Sequence, residues 1–173
     1  AVPIQILKLT VKREKYASRL RLLFHVLTGR YRPPVAFDMD VFYYYLNYRK
    51  IKASWHGIVC TEFKLLEQFR PEEIRTFRNY AIPVLKNGGW HFSFIGGIDV
   101  IKTKLRSFAH QEYNTTEIVN DEYIATCMKN GHDLFDRARG KKTVRRFEPC
   151  DLTDFPDGLR EIVASYPERL YRE

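Results

Sequence analysis

The chain predicts an α/β fold, a mixed sheet flanked by helices, and three observations carry that reading. Aromatic and β-branched runs bounded by turn residues recur at 35–47, 54–63 and 90–95, the pattern of buried or half-buried strands. Between and around them lie segments with apolar residues at helical spacing, opened by proline or capping residues and closed by glycine. The 173 residues are 45% hydrophobic, enough for a sizeable core, and no apolar run approaches the ~18 residues of a membrane-crossing helix.

Taken in order, Pro3 to Leu27 reads as a helix. Proline suits its first turn, Ile6, Leu7, Leu20, Leu23, Phe24 and Leu27 supply apolar positions, and Gly29 stops it. Thr10 and Val11 weaken its first half. Pro33-Pro34 forces an extended entry into a strand over Val35 to Asn47, and a second strand spans Ser54 to Phe63. Pro71-Glu72-Glu73 opens a short helix to about Tyr80, with carboxylates in its positively polarised first turn. Trp90 to Ile95 is the next strand. From Gly97 onward Ile98, Ile101, Leu105 and Phe108 recur at helical spacing, which leaves Lys102, Lys104 and Arg106 for other faces. Asn114-x-x-Glu117 caps a further helix ending near Gly131, Thr143 to Glu148 reads as a late strand, and Asp154 to Ser165 as the last helix. Without an internal repeat, a Gly/Ser linker or a low-complexity tract, one compact unit is the simplest organisation.

A formal net charge of +8 points to an anionic partner, either a nucleoside diphosphate, a nucleic acid or an acidic membrane surface. The basic residues are spread along the chain, with a local cluster at Arg139 to Arg146 that also reads as a solvated surface. No RNP, KH, zinc-finger or helix-turn-helix pattern appears, so a nucleic-acid partner is not expected. Cys60, Cys127 and Cys150 are odd in number and far apart, without zinc spacing, and read as reduced thiols in a cytoplasmic setting.

The most chemically loaded stretch is Gly88 to Asn114: two glycine pairs, a Trp-His step, basic residues and His-Gln-Glu. Glycine pairs let backbone approach a ligand closely, and each pair here flanks an aromatic strand. The blocks GGWHFSF-x-GG and I-x-x-K-x-x-S-F-x-H-x-E resemble the signature of glycosyltransferase family 17, the β-1,4-mannosyl-glycoprotein β-1,4-N-acetylglucosaminyltransferases. FYYYLNY at Phe42 to Tyr48 and the Trp-x-Gly at Trp55 to Gly57 extend the resemblance upstream. It implies a GT-A-like fold of which this chain is a C-terminal portion. The family's metal-binding D-x-D is absent, and Ala1-Val2-Pro3 stands where only the end of that run would lie. An intact member would carry a nucleotide-binding half upstream, and a secretory-pathway member would work in the Golgi lumen. There, Asn114-Thr115-Thr116 would be a glycosylation sequon.

The resemblance further implies inverting transfer of GlcNAc, or a related sugar, from a UDP-sugar to a glycan hydroxyl, with Mn²⁺ or Mg²⁺. His110 matches the family's S-F-x-H and is the metal-ligand candidate; Lys104 matches I-x-x-K and faces the donor's negative charge. Gly96 and Gly97 precede a helix whose free N–H groups suit an anion, although such a pair is often only a turn. His132 and Arg137 fall in a matching segment further on, and Arg137 joins the donor-binding set. Trp90 and His91 suit an acceptor wall of indole face and imidazole, the alternative being a core tryptophan. Within the tyrosine run, Tyr45 is taken as the sugar-facing ring. Glu112, in the matched H-x-E, is taken as the base that accepts the acceptor's proton, and Asp99 is the other local candidate. Asp38-x-Asp40 offers a second D-x-D, but carboxylates at period two also fit one exposed strand face. The rival function is a non-catalytic basic remnant that binds carbohydrate or a partner.

Overall fold

The computed structural model describes residues 20–51, 55–79, 82–135 and 147–172. In chain order its elements are helix α1 (20–27), strands β1 (Val35–Tyr43), β2 (Tyr48–Lys50) and β3 (Trp55–Cys60), helix α2 (Pro71–Thr76), strands β4 (Val84–Leu85) and β5 (Trp90–Ser93), helices α3 (Ile98–Ser107) and α4 (Asp121–Asn130), strand β6 (Phe147–Pro149) and helix α5 (Asp157–Ala164). The class is mixed α/β, with both parallel and antiparallel strand pairs. No described helix is long and apolar enough to cross a membrane.

Contacts gather the chain into two compact units, one formed by residues up to Met39 with Trp55–Gly89, the other by Asp40–Ser54 with Trp90–Glu173. The first crossing between them, Met39 to Asp40, falls within β1, where no linker composition marks it.

In the first unit, the leading half of β1 pairs antiparallel with β3 and parallel with the two-residue β4. Its core is Leu22 from α1 with Tyr31, Leu65, Phe69, Ile74 and Phe77. Pro71 opens α2 as expected, and Glu73 accepts from the Arg70 backbone N–H at 3.0 Å, which satisfies one of the orphan donors of the first turn. Helix α1 ends at Gly29 in a left-handed conformation. The Leu20, Leu23, Phe24 and Leu27 side chains, at helical spacing, are all exposed. The first part of the expected helix, from Pro3, lies outside the described residues. Gly88 is a packing glycine: its N–H donates to the Asp38 carbonyl at 2.7 Å, and a Cβ there would stand 2.8 Å from the Phe37 ring. That close approach accounts for half of the first glycine pair without a ligand.

In the second unit, the trailing half of β1 pairs parallel with β5, Asp40 opposite Trp90 through Tyr43 opposite Ser93. On its other side β1 pairs antiparallel with β2, and β2 with β6. The expected strand to Asn47 stops at Tyr43, because Tyr44 takes a left-handed φ of 68° and turns the chain into β2. That turn is held by the Tyr44 hydroxyl, which donates to the His132 carbonyl at 2.5 Å. Phe42, Phe155 and Val163 are the core, with Phe92 stacked on Phe42. Helix α4 starts later than the Asn114 cap predicts. Asn120 is the cap, its side chain accepting from the Tyr123 N–H at 3.0 Å, while Asn114 ends a short 3-10 turn. Gly131 closes α4 in the left-handed region, as its position in the sequence suggests. Of the expected late strand, Phe147 and Glu148 lie in β6; residues 143–146, like the basic cluster, lie outside the described residues.

Candidate anion-binding site

Everything that follows lies in the second unit. Strand β5 leaves the sheet at Ser93, and Phe94 follows with φ of 57°, a left-handed conformation rare for a bulky aromatic residue. Holding it costs about 1–3 kcal/mol, and such strain persists where the surroundings over-determine it. Here they do. The Phe94 ring is buried and packs edge-on against Tyr43 and Phe135. Its face lies 4.6 Å below the Lys104 ammonium, a cation–π distance.

Lys104 leans from α3 across this ring, and its Nζ donates to the Ser93 Oγ at 2.8 Å. Burial of the amine lowers its pKa. Among the described residues it forms no ion pair, unlike Lys102, whose Nζ is bound 2.6 Å from the Asp121 carboxylate. Within the basic trio, then, Lys104 is the one aimed at a pocket, and Lys102 is spent on joining α3 to α4.

Two further positive-φ residues, Gly96 (120°) and Gly97 (86°), complete the turn into α3. Their need for glycine differs. A Cβ on Gly97 would meet open space, so only its backbone demands glycine. A Cβ on Gly96 would stand 2.6 Å from the Arg169 guanidinium and 3.1 Å from Val100. Arg169 therefore lies against the start of α3, where no side chain caps the first turn and the N–H groups stay available. Arg169, at the start of α3 and 3.5 Å from the Glu168 carboxylate, and Lys104, in the last turn, make a discontinuous cationic margin along the helix, interrupted by the exposed Asp99 in its first turn. Arg169 escaped the sequence reading, since nothing local marks an arginine that reaches a loop far earlier in the chain.

Beside this margin is an open cavity of about 500 Å³, with Phe92, Phe94 and Val163 among its buried or half-buried lining and Val100, Ile162 and Tyr166 at exposed positions. Its polar side chains are Ser93, Lys104 and the Tyr166 hydroxyl; no carboxylate lines it.

The remaining candidates fall elsewhere. Trp90 and His91 are consecutive on β5, so they project to opposite faces of the strand and do not form one wall. Trp90 is exposed. His91 is half-buried near Lys104, and burial first, then that positive charge, lowers its pKa. Tyr45 packs edge-on against Tyr48 and Tyr171, and burial with the Tyr171 ring raises its pKa, so it reads as part of a tyrosine cluster. His110 and Glu112 follow the other end of α3. Ten residues at 1.5 Å rise make that helix ~15 Å long, which separates them from Gly96 and Gly97. Both are exposed and pair with each other, Nδ1 to carboxylate oxygen at 2.9 Å. A backbone hydrogen bond and His110 hold the Glu112 carboxyl below its ordinary value. Asp40 of the second D-x-D lies 4.0 Å from Arg49, on the face expected of it. Arg137 lies outside the described residues; His132 is exposed, its carbonyl holding Tyr44.

Among the described residues no group of three or more His, Cys, Asp or Glu is arranged to hold a metal ion. His110 and Glu112 bring two donors together, and an ion of the kind the resemblance implies takes its remaining ligands largely from water and substrate phosphate. Compared with protein-family models, with curated proteins and with solved structures, the chain matches none.

Proposed function

We propose that the chain is part of an inverting glycosyltransferase that moves GlcNAc, or a related sugar, from a UDP-sugar to a glycan hydroxyl. One observation supports this above the others. The positive-φ residues Phe94, Gly96 and Gly97 lead into the start of α3, where Arg169 lies against Gly96, and Lys104 reaches from the last turn of the same helix to Ser93; these donors suit the negative charge of a departing diphosphate. In the proposed reaction the acceptor oxygen attacks the anomeric carbon from the face opposite the diphosphate. The C–O bond to UDP breaks with its electron pair going to the phosphate, and the acceptor's proton passes to a carboxylate. The candidates for that carboxylate are Glu112, beyond the end of α3, and Asp99, in its first turn.

Calorimetric titration of UDP-GlcNAc, with and without Mn²⁺, tests the reading on the wild type, Lys104→Met, Arg169→Met and His110→Ala. Expected is donor binding that each of the first two variants weakens about 10-fold, the loss of one charge-assisted contact. Manganese-dependent binding lost in His110→Ala would place a metal at His110. No binding at millimolar donor, with retained binding of glycan, would replace the transferase by a non-catalytic carbohydrate-binding remnant.

A further inference from the structure

The cavity beside Lys104 has a composition that a sugar nucleotide does not use. Its walls come from β5, the segment after it, α3 and α5, and they are almost wholly apolar. Val100, Ile162 and Tyr166, which line it, are 48%, 60% and 51% exposed, three large side chains left open to solvent around one hollow. At about 500 Å³ it lies within the range of small-molecule pockets, and such pockets take an apolar body oriented by a few polar groups. The polar groups here are Ser93, Tyr166 and one cation. No Asp or Glu lines the cavity to neutralise that cation, and Lys104 has no ion-pair partner among the described residues.

We propose that this cavity binds an amphiphilic anion: an alkyl or prenyl chain against Phe92, Val100, Ile162 and Val163, with a terminal carboxylate or phosphate on the Lys104 ammonium. The charge requirement fixes the head and the walls fix the tail. Arg169, which lies against Gly96, supplies a second cation for a phosphate head that extends toward the start of α3. This goes beyond the transferase reading and stands without it, since it rests on the cavity wall and one lysine.

The test is calorimetry on the full chain with octanoate, octyl phosphate and 1-octanol, each below its aggregation limit. Wild type should bind both anions saturably, one per chain, and octanol about 10-fold more weakly. Lys104→Met should lower anion binding to the octanol level and leave octanol unchanged. Ile162→Glu, a substitution at an exposed position that circular dichroism should show to be folded, should abolish all three. Tighter octanoate than octyl phosphate would identify a fatty-acid type of ligand, and the reverse a lipid phosphate. Equal affinity of wild type for octanol and the anions, undiminished anion binding by Lys104→Met or Ile162→Glu, or no saturable binding would overturn the proposal. If wild type takes up octyl phosphate but not UDP-GlcNAc, the donor reading falls and this one remains.

Discussion

Gly96 and Gly97 sit side by side and are glycine for different reasons, which makes them a matched pair of probes. At Gly97, alanine meets only the backbone penalty of φ 86° and ψ 180°, a region essentially confined to glycine, about 1–3 kcal/mol. At Gly96 the new Cβ also meets Arg169 and Val100, so Gly96→Ala should destabilise the chain more than Gly97→Ala in urea unfolding. Equal losses would mean that the Arg169 guanidinium swings aside and Val100 yields without cost. The pair was legible in the sequence as a loop before a helix, and Lys104 as a basic residue on that helix. Arg169 and the strain at Phe94 were not, because one is a long-range contact and the other is a conformation that phenylalanine rarely adopts. His91 carries a pH signature. Its imidazole is held below the ordinary histidine value by burial and by Lys104, so the folded chain gives up that proton more readily than the unfolded one. Stability should therefore rise with pH through the folded value up to the unfolded value near ~6.5, and be level above it. His91→Asn should flatten this step in denaturation curves taken between pH 5 and 7; an unchanged slope in the variant would assign the step to another group.

Among the elements, α4 separates what a motif says from what packing selects. Both Asn114 and Asn120 are plausible caps, and only Asn120 has its side chain on a first-turn N–H. Asn120→Ala should lower stability by about 1 kcal/mol. Asn114→Ala, on an exposed turn, should stay within about 0.5 kcal/mol, and the reverse order in thermal melts would restore the earlier start. The long aromatic run was legible as a strand because its residue types favour one, but its end was not: Tyr44, the second tyrosine of the run, turns left-handed where its residue type would ordinarily continue the strand. Strand β4 was missed for a plainer reason. Two residues are too few to show alternation, and Val84 and Leu85 are both exposed, so no buried face marked them. The separation of His110 and Glu112 from the glycine turn follows from α3 itself. A sequence block reads as one motif, while a ten-residue helix places its two ends ~15 Å apart.

At the scale of the whole molecule, the two compact units share β1, whose first residues pair in one and whose last residues pair in the other. A strand is a poor place for a break in cooperativity, since register lost in one half is carried along the backbone into the other. The chain has two tryptophans, and they fall one in each unit, Trp55 and Trp90. Single-tryptophan variants, Trp55→Phe and Trp90→Phe, should unfold in urea with coincident fluorescence midpoints; two separated transitions would show the units to be independent. This organisation was hidden from the sequence, which marks domain boundaries by linker composition and has none inside a strand.

Lys104 has one more consequence, and it is practical. Because burial favours its uncharged form, at mildly alkaline pH it spends more of its time as a free amine than lysines in open water do. Free amines are the species that acylating reagents and aldehydes attack. A small electrophile therefore has a reason to mark this lysine ahead of its surface counterparts, and the chain offers a covalent handle beside its candidate site before any natural ligand has been identified.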